Sequence, residues 1–390
     1  MFEIDNKKIR NQFPMLKNDI VYLDSAALVQ KPQQVIDAIN DFYTKYSISN
    51  RTRDTRLGIF VEQKIQETRK LIAQLLKCSD DEIIFNSGTT EGLNYASYLI
   101  EQLIEKDDQI LISKFNHSSH MVPWIELAKR RQAKIVFSDN LLKDVNSKTK
   151  IIAYTQVNNN FLNNKDDELE KLFSIAKKNN AFIINDIAQA ISHKEVDSKF
   201  FDIAAFSSNK MFGPTGLGIL YVSKHILNKV ESKKYGGGSI DYIEKDGIWK
   251  SKNSIIKHEP GTLNIAGIFG FNEALKFYNS IDKKWMEKYL NFISSYAYDK
   301  LKTLDNVNIL SNKGDLIMLL EIKNSTSQDV ASYLGHKDIY VRSGFFCAHY
   351  LKHLVQDSLL RISFHIYNNL EDIDKLYQSL KEGGDFLGFL

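Results

Sequence analysis

FIINDIAQAISHKEVDSKFFDIAAFSSNKMFGPTGLGILY, residues 182–221, decides the fold. With Ala181 before it, the stretch to Asn185 is apolar except at its last residue and has the length of an interior parallel strand. Asp186 follows at the carboxyl end, where α/β sheets place ligand-binding groups. Ile203 to Phe206 is a second such run, broken by Ser207-Ser208-Asn209-Lys210. Gly213, Gly216 and Gly218 then lead into a third apolar run, Ile219 to Val222. An acid and a lysine therefore each sit just past a buried strand, and a glycine-rich turn faces the lysine.

These parts suit pyridoxal phosphate (PLP) chemistry. A lysine condenses with the cofactor aldehyde, and a carboxylate partners the pyridinium nitrogen so that the ring accepts electrons. An acid and a lysine on solvated loops would give the same letters for any single pair. The ordered series D-x-A-Q, S-x-x-K and G-P-T-G-x-G argues against that simpler reading.

The whole chain sets the frame. At 390 residues it exceeds the usual size of one hydrophobic core, so two domains are expected. Apolar residues at 43% and charged residues at 25% describe an ordinary globular protein, and a net charge of +3 gives no reason to expect nucleic-acid binding. Two cysteines, Cys78 and Cys347, make a disulfide framework implausible and fit a reducing compartment. The first residues lack a signal-peptide core, and no run approaches the roughly 20 apolar residues of a membrane span. The expectation is a cytoplasmic α/β protein with no membrane or nucleic-acid partner.

Working outward, Val21-Tyr22-Leu23 reads as a brief strand before Asp24-Ser25-Ala26-Ala27, small residues that permit close backbone approach. Gln33 to Tyr46 and Glu62 to Leu76 have helical apolar spacing, and the basic loop Arg51 to Arg56 between them is most simply a solvated face. Ile83-Ile84-Phe85 runs into Asn86-Ser87-Gly88-Thr89-Thr90-Glu91-Gly92. Strand, glycine, two hydroxyls and helix make either an anion site or a plain helix cap. The strand Gln109 to Ser113 leads to Asn116-His117 and onward to Pro123-Trp124, and Lys150 to Tyr154 leads to Asn158-Asn159-Asn160. Ala266 to Leu304 looks largely helical, and Leu316 to Ile322 and Ile339 to Val341 read as strands. Cys347 lies on a glycine-containing turn, reactive if exposed and a packing residue if buried; Cys78 reads as a packing residue.

In order and spacing these motifs resemble the fold-type I, class V aminotransferase family, closest to group II (SUF-type) cysteine desulfurases. The resemblance covers nearly the whole chain. It implies a large PLP-binding domain, residues 15–265, around a mainly parallel seven-stranded sheet. A small carboxyl-terminal α/β domain, 266–390, would be joined by residues 1–14. Lys210 would hold the cofactor, Asp186 its ring nitrogen and Gln189 its phenolic oxygen, while His117 would stack on the ring and shuttle protons. Thr89, Thr90, Ser207 and Asn209 would take the phosphate, with Thr262 of E-x-G-T-x-N reaching the phosphate in a neighbouring subunit. Asn159 would lie near the ring hydroxyl and the substrate carboxylate, which Arg361 would bind. Arg342, Arg53 and Ala27 complete the substrate residues. No metal is implied.

Group II desulfurases carry R-x-G-H-H-C-A, whose cysteine takes sulfur from L-cysteine as a persulfide. Arg342, Gly344, Cys347 and Ala348 match, but Phe345 and Phe346 replace both histidines, so neither can assist the thiol. Other departures are Asn209 for a histidine, Ser118 for the second histidine, Ile187 for a small residue and Leu162 for a glycine. The reading is a homodimeric cysteine desulfurase passing sulfur to an acceptor protein for tRNA thiolation or iron–sulfur assembly. Its rivals are another class V enzyme (selenocysteine lyase, epimerase or aminotransferase) and a non-catalytic sulfur-trafficking scaffold.

Overall fold

The computed structural model of the chain describes residues 2–160, 168–353, 355 and 358–382. Two compact units result: Gln34–Val157 with Asn164–Lys276, and Met1–Gln33 with Asn158–Asn163 and Phe277–Leu390.

The larger unit is built on seven strands: β1 (Ile83–Asn86), β2 (Gln109–Ser113), β3 (Lys134–Ser138), β4 (Thr149–Thr155), β5 (Phe182–Asp186), β6 (Ile203–Ser207) and β7 (Gly218–Val222). Their order is β1-β7-β6-β5-β4-β2-β3, and only β7 runs against the rest. Ile110 to Ile112, Ile151 to Ala153, Ile183 and Ile184 are wholly buried, as a parallel sheet covered on both faces demands. Each such isoleucine contributes roughly 1.5–3 kcal/mol of burial free energy. Because the directions agree, the carboxyl ends of β1, β2, β4, β5 and β6 share one edge. Asn86, Ser113, Thr155, Asp186 and Ser207 close those strands, so the loops after them converge there. The mainly parallel seven-stranded sheet expected from the sequence is present.

The smaller unit has an antiparallel sheet of β8 (Val307–Ile309), β9 (Ile317–Ile322), β10 (Arg342–Gly344) and β11 (Leu359–Ser363), in the order β8-β9-β11-β10. Ile293, Ala297 and Leu301 of the helix Lys283–Leu301 and Ile373, Leu376 and Leu380 of the helix Leu370–Glu382 join Met318, Leu320, Leu360 and Ile362 in its core. The amino-terminal segment belongs here. Asn6 Nδ2 donates to the carbonyls of Ile366 and Asn368 at 2.7 and 3.0 Å, and Arg10 pairs with Asp372 at 2.9 Å.

The boundaries differ from the expected 14/15 and 265/266. Residues 15–33 side with the carboxyl-terminal segment because Val21–Tyr22 pairs with Ile339–Tyr340 and Asp24 bridges Ser363. The later cut falls at 276/277, near the carboxyl end of the helix Ile265–Ser280, so most of that helix sides with the larger unit. The helix expected from Glu62 begins at Arg56, where the Thr55 hydroxyl accepts the Gly58 N–H as a cap. Leu162 and the tail Gly383 to Leu390 lie outside the described residues.

Candidate active site

On the larger unit, Asp186 ends β5 and is 5% exposed. Burial pushes its carboxyl up to about 6, against the pull of the Ala188 N–H, 3.0 Å from Oδ1, and of the Lys210 charge. Lys210 closes the short turn Ser208–Lys210 after β6 and is half-buried. That turn is braced by the glycine-rich segment: the Ser208 N–H donates to the Leu217 carbonyl at 3.0 Å and the Ser208 hydroxyl to that of Pro214 at 2.5 Å. Gln189 and Asn209, both half-buried, sit just past Asp186 and just before Lys210.

The loop after β1 turns into the helix Thr89–Ile100. The Thr89 N–H donates to the Ser207 hydroxyl at 2.7 Å, and the two hydroxyls lie 2.8 Å apart. A helix amino terminus with two hydroxyls is a ready anion site. Gly218 makes room for it: a Cβ there would lie 2.3 Å from the Gly88 Cα. Thr90 is exposed, and its hydroxyl is 2.8 Å from that of Ser119. Ser119 in turn fixes His117, its N–H donating to Nδ1 at 3.1 Å, so the proton of the neutral ring sits on Nε2. His120 is different. Burial holds its pKa near 4, Nε2 lies 3.0 and 3.1 Å from the Tyr154 and Ile184 carbonyls, and Nδ1 accepts the Trp124 indole N–H. It is a packing residue.

Thr262 is exposed on a loop stapled at both ends. Glu259 is buried, accepts both terminal nitrogens of buried Arg69 at 2.9 and 2.8 Å, and accepts the Phe85 N–H at 2.7 Å. Asn264 donates to the Gly216 carbonyl and accepts the Gly267 N–H, both at 2.9 Å. Of the arginine cluster, Arg53 is largely exposed and pairs with Glu62 at 3.2 Å. Arg51 is the anchored one, donating from Nη2 to the carbonyls of Gly237 and Gly261. Nothing in its local sequence separates it from its neighbours.

The smaller unit carries the other expected residues. Arg361, on β11, is 2% exposed and spans Asp24 Oδ1 at 2.7 Å from Nη2 and the Asn159 carbonyl at 3.2 Å from Nη1. Burial lowers its pKa and Asp24 opposes this. Its Nε is buried with no hydrogen-bond partner among the described residues. Asp24 is the partner the sequence reading missed, although it directly follows the strand Val21-Tyr22-Leu23. Ala27 donates its N–H to the Asp24 carbonyl, and exposed Arg342 stands 3.9 Å from the Asp24 carboxylate. Asn159 donates from Nδ2 to the Phe346 carbonyl at 2.7 Å. Cys347 is exposed, whereas burial pushes the half-buried Cys78 thiol up to about 12.

The larger unit's residues fit PLP. A buried carboxylate with a raised pKa suits a cationic ring nitrogen. The Thr89–Ser207 cluster at a helix amino terminus suits a phosphate, and a lysine close enough to act on Asp186 suits an aldehyde. Among the described residues no helix is long and apolar enough to cross a membrane.

The family model for class V aminotransferases matches residues 21–376. A probable cysteine desulfurase of Ureaplasma parvum serovar 3 is 34% identical over 386 residues, covering 95% of this chain and 96% of the relative. One of Borreliella burgdorferi is 34% identical over 405 residues, covering 98% and 94%. Among solved structures, the apo cysteine desulfurase of Thermococcus onnurineus NA1 superposes with a TM-score of 0.89 at 28% identity, over 96% of this chain and 97% of that one. A cysteine desulfurase of Escherichia coli gives 0.89 at 26% identity, over 99% of both.

Proposed function

The chain belongs to the class V aminotransferase family, and from that premise we propose how its residues carry out the cysteine desulfurase reaction, the PLP-dependent removal of sulfur from L-cysteine. The observation that carries the assignment within the family is Cys347. It is the exposed thiol of two, on the turn following Arg342-Ser343-Gly344, while Cys78 is kept protonated by burial.

When bound, PLP supplies an electron-accepting ring that labilises the substrate's Cα proton and its carbon–sulfur bond. The chain does the rest. The Asp186 carboxylate would partner the ring nitrogen and hold its proton, in a setting dry enough to strengthen that attraction. Thr89 and Ser207, which bond each other here, would hold the phosphate together with Thr90 and Asn209, and Gln189 would donate to the phenolic oxygen. Lys210 anchors the cofactor and then moves the proton at Cα through Nζ. His117 presents Nε2 for proton transfer, since the Ser119 N–H occupies Nδ1. Arg361 holds the substrate carboxylate, with its Nε, which has no partner among the described residues, as a donor and Asn159 beside it. The family resemblance would give Arg342, Arg53 and Ala27 contacts with the substrate. Cys347 Sγ then bonds to the substrate sulfur as the carbon–sulfur bond breaks. Enzyme thiol plus L-cysteine give enzyme persulfide plus L-alanine, and the atoms balance.

Exposed Thr262, on its doubly stapled loop, supports a homodimer in which it reaches the neighbouring subunit's cofactor phosphate. The remaining steps, transfer of the persulfide sulfur to an acceptor protein and a cytoplasmic location, follow from the same reading.

The deciding experiment measures alanine and sulfide release from L-cysteine with added reductant in wild type, Cys347→Ala and Lys210→Ala. Wild type is active and both variants are dead. Borohydride reduction and peptide mapping place the cofactor on Lys210. Full activity in Cys347→Ala would refute the sulfur-acceptor role and favour a class V reaction that needs no thiol.

A further inference from the structure

The loop that presents Cys347 has unusual backbone. Phe346 and Cys347 are consecutive non-glycine residues in the left-handed region, with φ of 52° and 57°. L-residues visit that region at a steric cost, and such pairs persist only where their surroundings over-determine them. Cys347 is exposed, whereas Phe346 before it is buried.

Phe346 is held in three ways. Its ring is 4% exposed and packs with Leu319 and Leu359. The Arg361 guanidinium carbon lies 4.9 Å from the ring centre, within cation–π range. Its carbonyl accepts Asn159 Nδ2 at 2.7 Å. Arg361 closes the circuit by donating to the Asn159 carbonyl at 3.2 Å. Arginine, asparagine and phenylalanine thus each contact the other two. Phe345 lies outside this circuit, half-buried with the Lys352 ammonium 5.2 Å from its ring.

We propose that Phe346 is a positioning residue: it holds Cys347 in its left-handed conformation and ties that backbone to Arg361, so the sulfur-accepting thiol and the carboxylate-binding arginine act as one unit. The proposal rests on the roles assigned above to Cys347 and Arg361. It also gives physical sense to a phenylalanine where the resembled desulfurases have histidine. An imidazole against Leu319 and Leu359 would bury polar nitrogens, and its cation would face a guanidinium. A phenyl ring gains from both neighbours. Position 346 therefore contributes no proton, only placement.

The test separates placement from general damage by using two alkylating reagents on cofactor-free protein. Iodoacetate carries a carboxylate that Arg361 can attract; iodoacetamide does not. Because both consume the same thiolate, the ratio of their rates at Cys347, read by peptide mapping, cancels changes in thiol reactivity. The wild-type ratio exceeds that of a free thiol such as glutathione. It falls at least threefold in Phe346→Leu, which fills the pocket without a ring face, and in Asn159→Ala, which removes the donor to the Phe346 carbonyl. It stays unchanged in Phe345→Leu and recovers in Phe346→Tyr. In single turnovers of the holoenzyme, Phe346→Leu slows persulfide formation at least tenfold. Exchange of the L-alanine Cα hydrogen in deuterated water, which needs no thiol, stays within threefold of wild type. Equal ratios in wild type and Phe346→Leu, or parallel losses in sulfur transfer and exchange, overturn the proposal. A wild type that exchanges the alanine hydrogen but takes no sulfur from cysteine instead removes the desulfurase reading beneath it.

Discussion

Replacing Asp186 with asparagine separates the cost of a buried charge from its use. In the folded chain burial raises this carboxyl from 3.8 to about 6. A raised pKa means that the protonated form is the one favoured by folding. The contribution is therefore complete below about pH 3.8 and is lost as pH climbs through 6. At 1.36 kcal/mol per pH unit that gap is worth about 3 kcal/mol. Asparagine keeps an oxygen for the Ala188 N–H but never ionises. In cofactor-free protein, then, the two forms have similar stability near pH 4, and Asp186→Asn is more stable by about 3 kcal/mol at pH 8. Urea unfolding of the apoprotein from pH 4 to 8 reads the difference directly. Saturating PLP reverses the order at pH 8, because the ring nitrogen offsets the buried charge in wild type alone. A stability difference that stays flat with pH, or a variant less stable than wild type at pH 8 without cofactor, would refute the claim that this site is held in readiness for a cation.

Ser207→Ala deletes the acceptor of the Thr89 N–H and its hydroxyl partner, so PLP affinity falls roughly tenfold, about 1.4 kcal/mol, in a fluorescence titration. Glu259→Ala strands the buried Arg69 guanidinium and costs roughly 3–5 kcal/mol in denaturant unfolding, a loss that a mere surface pair would not show. Gly238→Ala introduces a Cβ 2.3 Å from Arg51 Nη2 at a φ of +89°. It lowers stability by about 1–3 kcal/mol, and adding Arg51→Ala restores the steric part; a thermal melt unchanged in the single variant would contradict the packing.

The large sheet was legible because strands buried on both faces leave unbroken apolar runs, and because the polar residues closing them fall at fixed offsets. The unit boundary was not. Val21–Tyr22 pairs with Ile339–Tyr340 across more than three hundred residues, and two residues carry no periodicity to betray it. The early start of the helix Arg56–Leu76 was hidden in a similar way. Leu57, Ile59 and Phe60 are partly exposed, so its first turns lack a clean apolar face, and the cap at Thr55 was the signal left to find. Among three arginines in six residues, only tertiary contact distinguishes Arg51. Its partners are carbonyls of Gly237 and Gly261, and no local pattern announces a carbonyl.

The motifs themselves mix two kinds of residue that a sequence cannot tell apart. In E-x-G-T-x-N the glutamate and asparagine are staples, one buried against Arg69 and the other folded onto Gly216 and Gly267, while the threonine projects. In G-P-T-G-x-G, Gly218 is fixed by the nearness of Gly88, not by chemistry at its own position. The same division explains why losing two histidines before Cys347 need not end the reaction. At position 346 the backbone carbonyl, bound by Asn159, and the ring face, covered by Arg361, are what the loop uses, and neither requires a nitrogen. Had Phe346 faced solvent, the substitution would have counted against a sulfur-accepting cysteine. Buried beneath the arginine, Phe346 has the packing that the proposed positioning role requires.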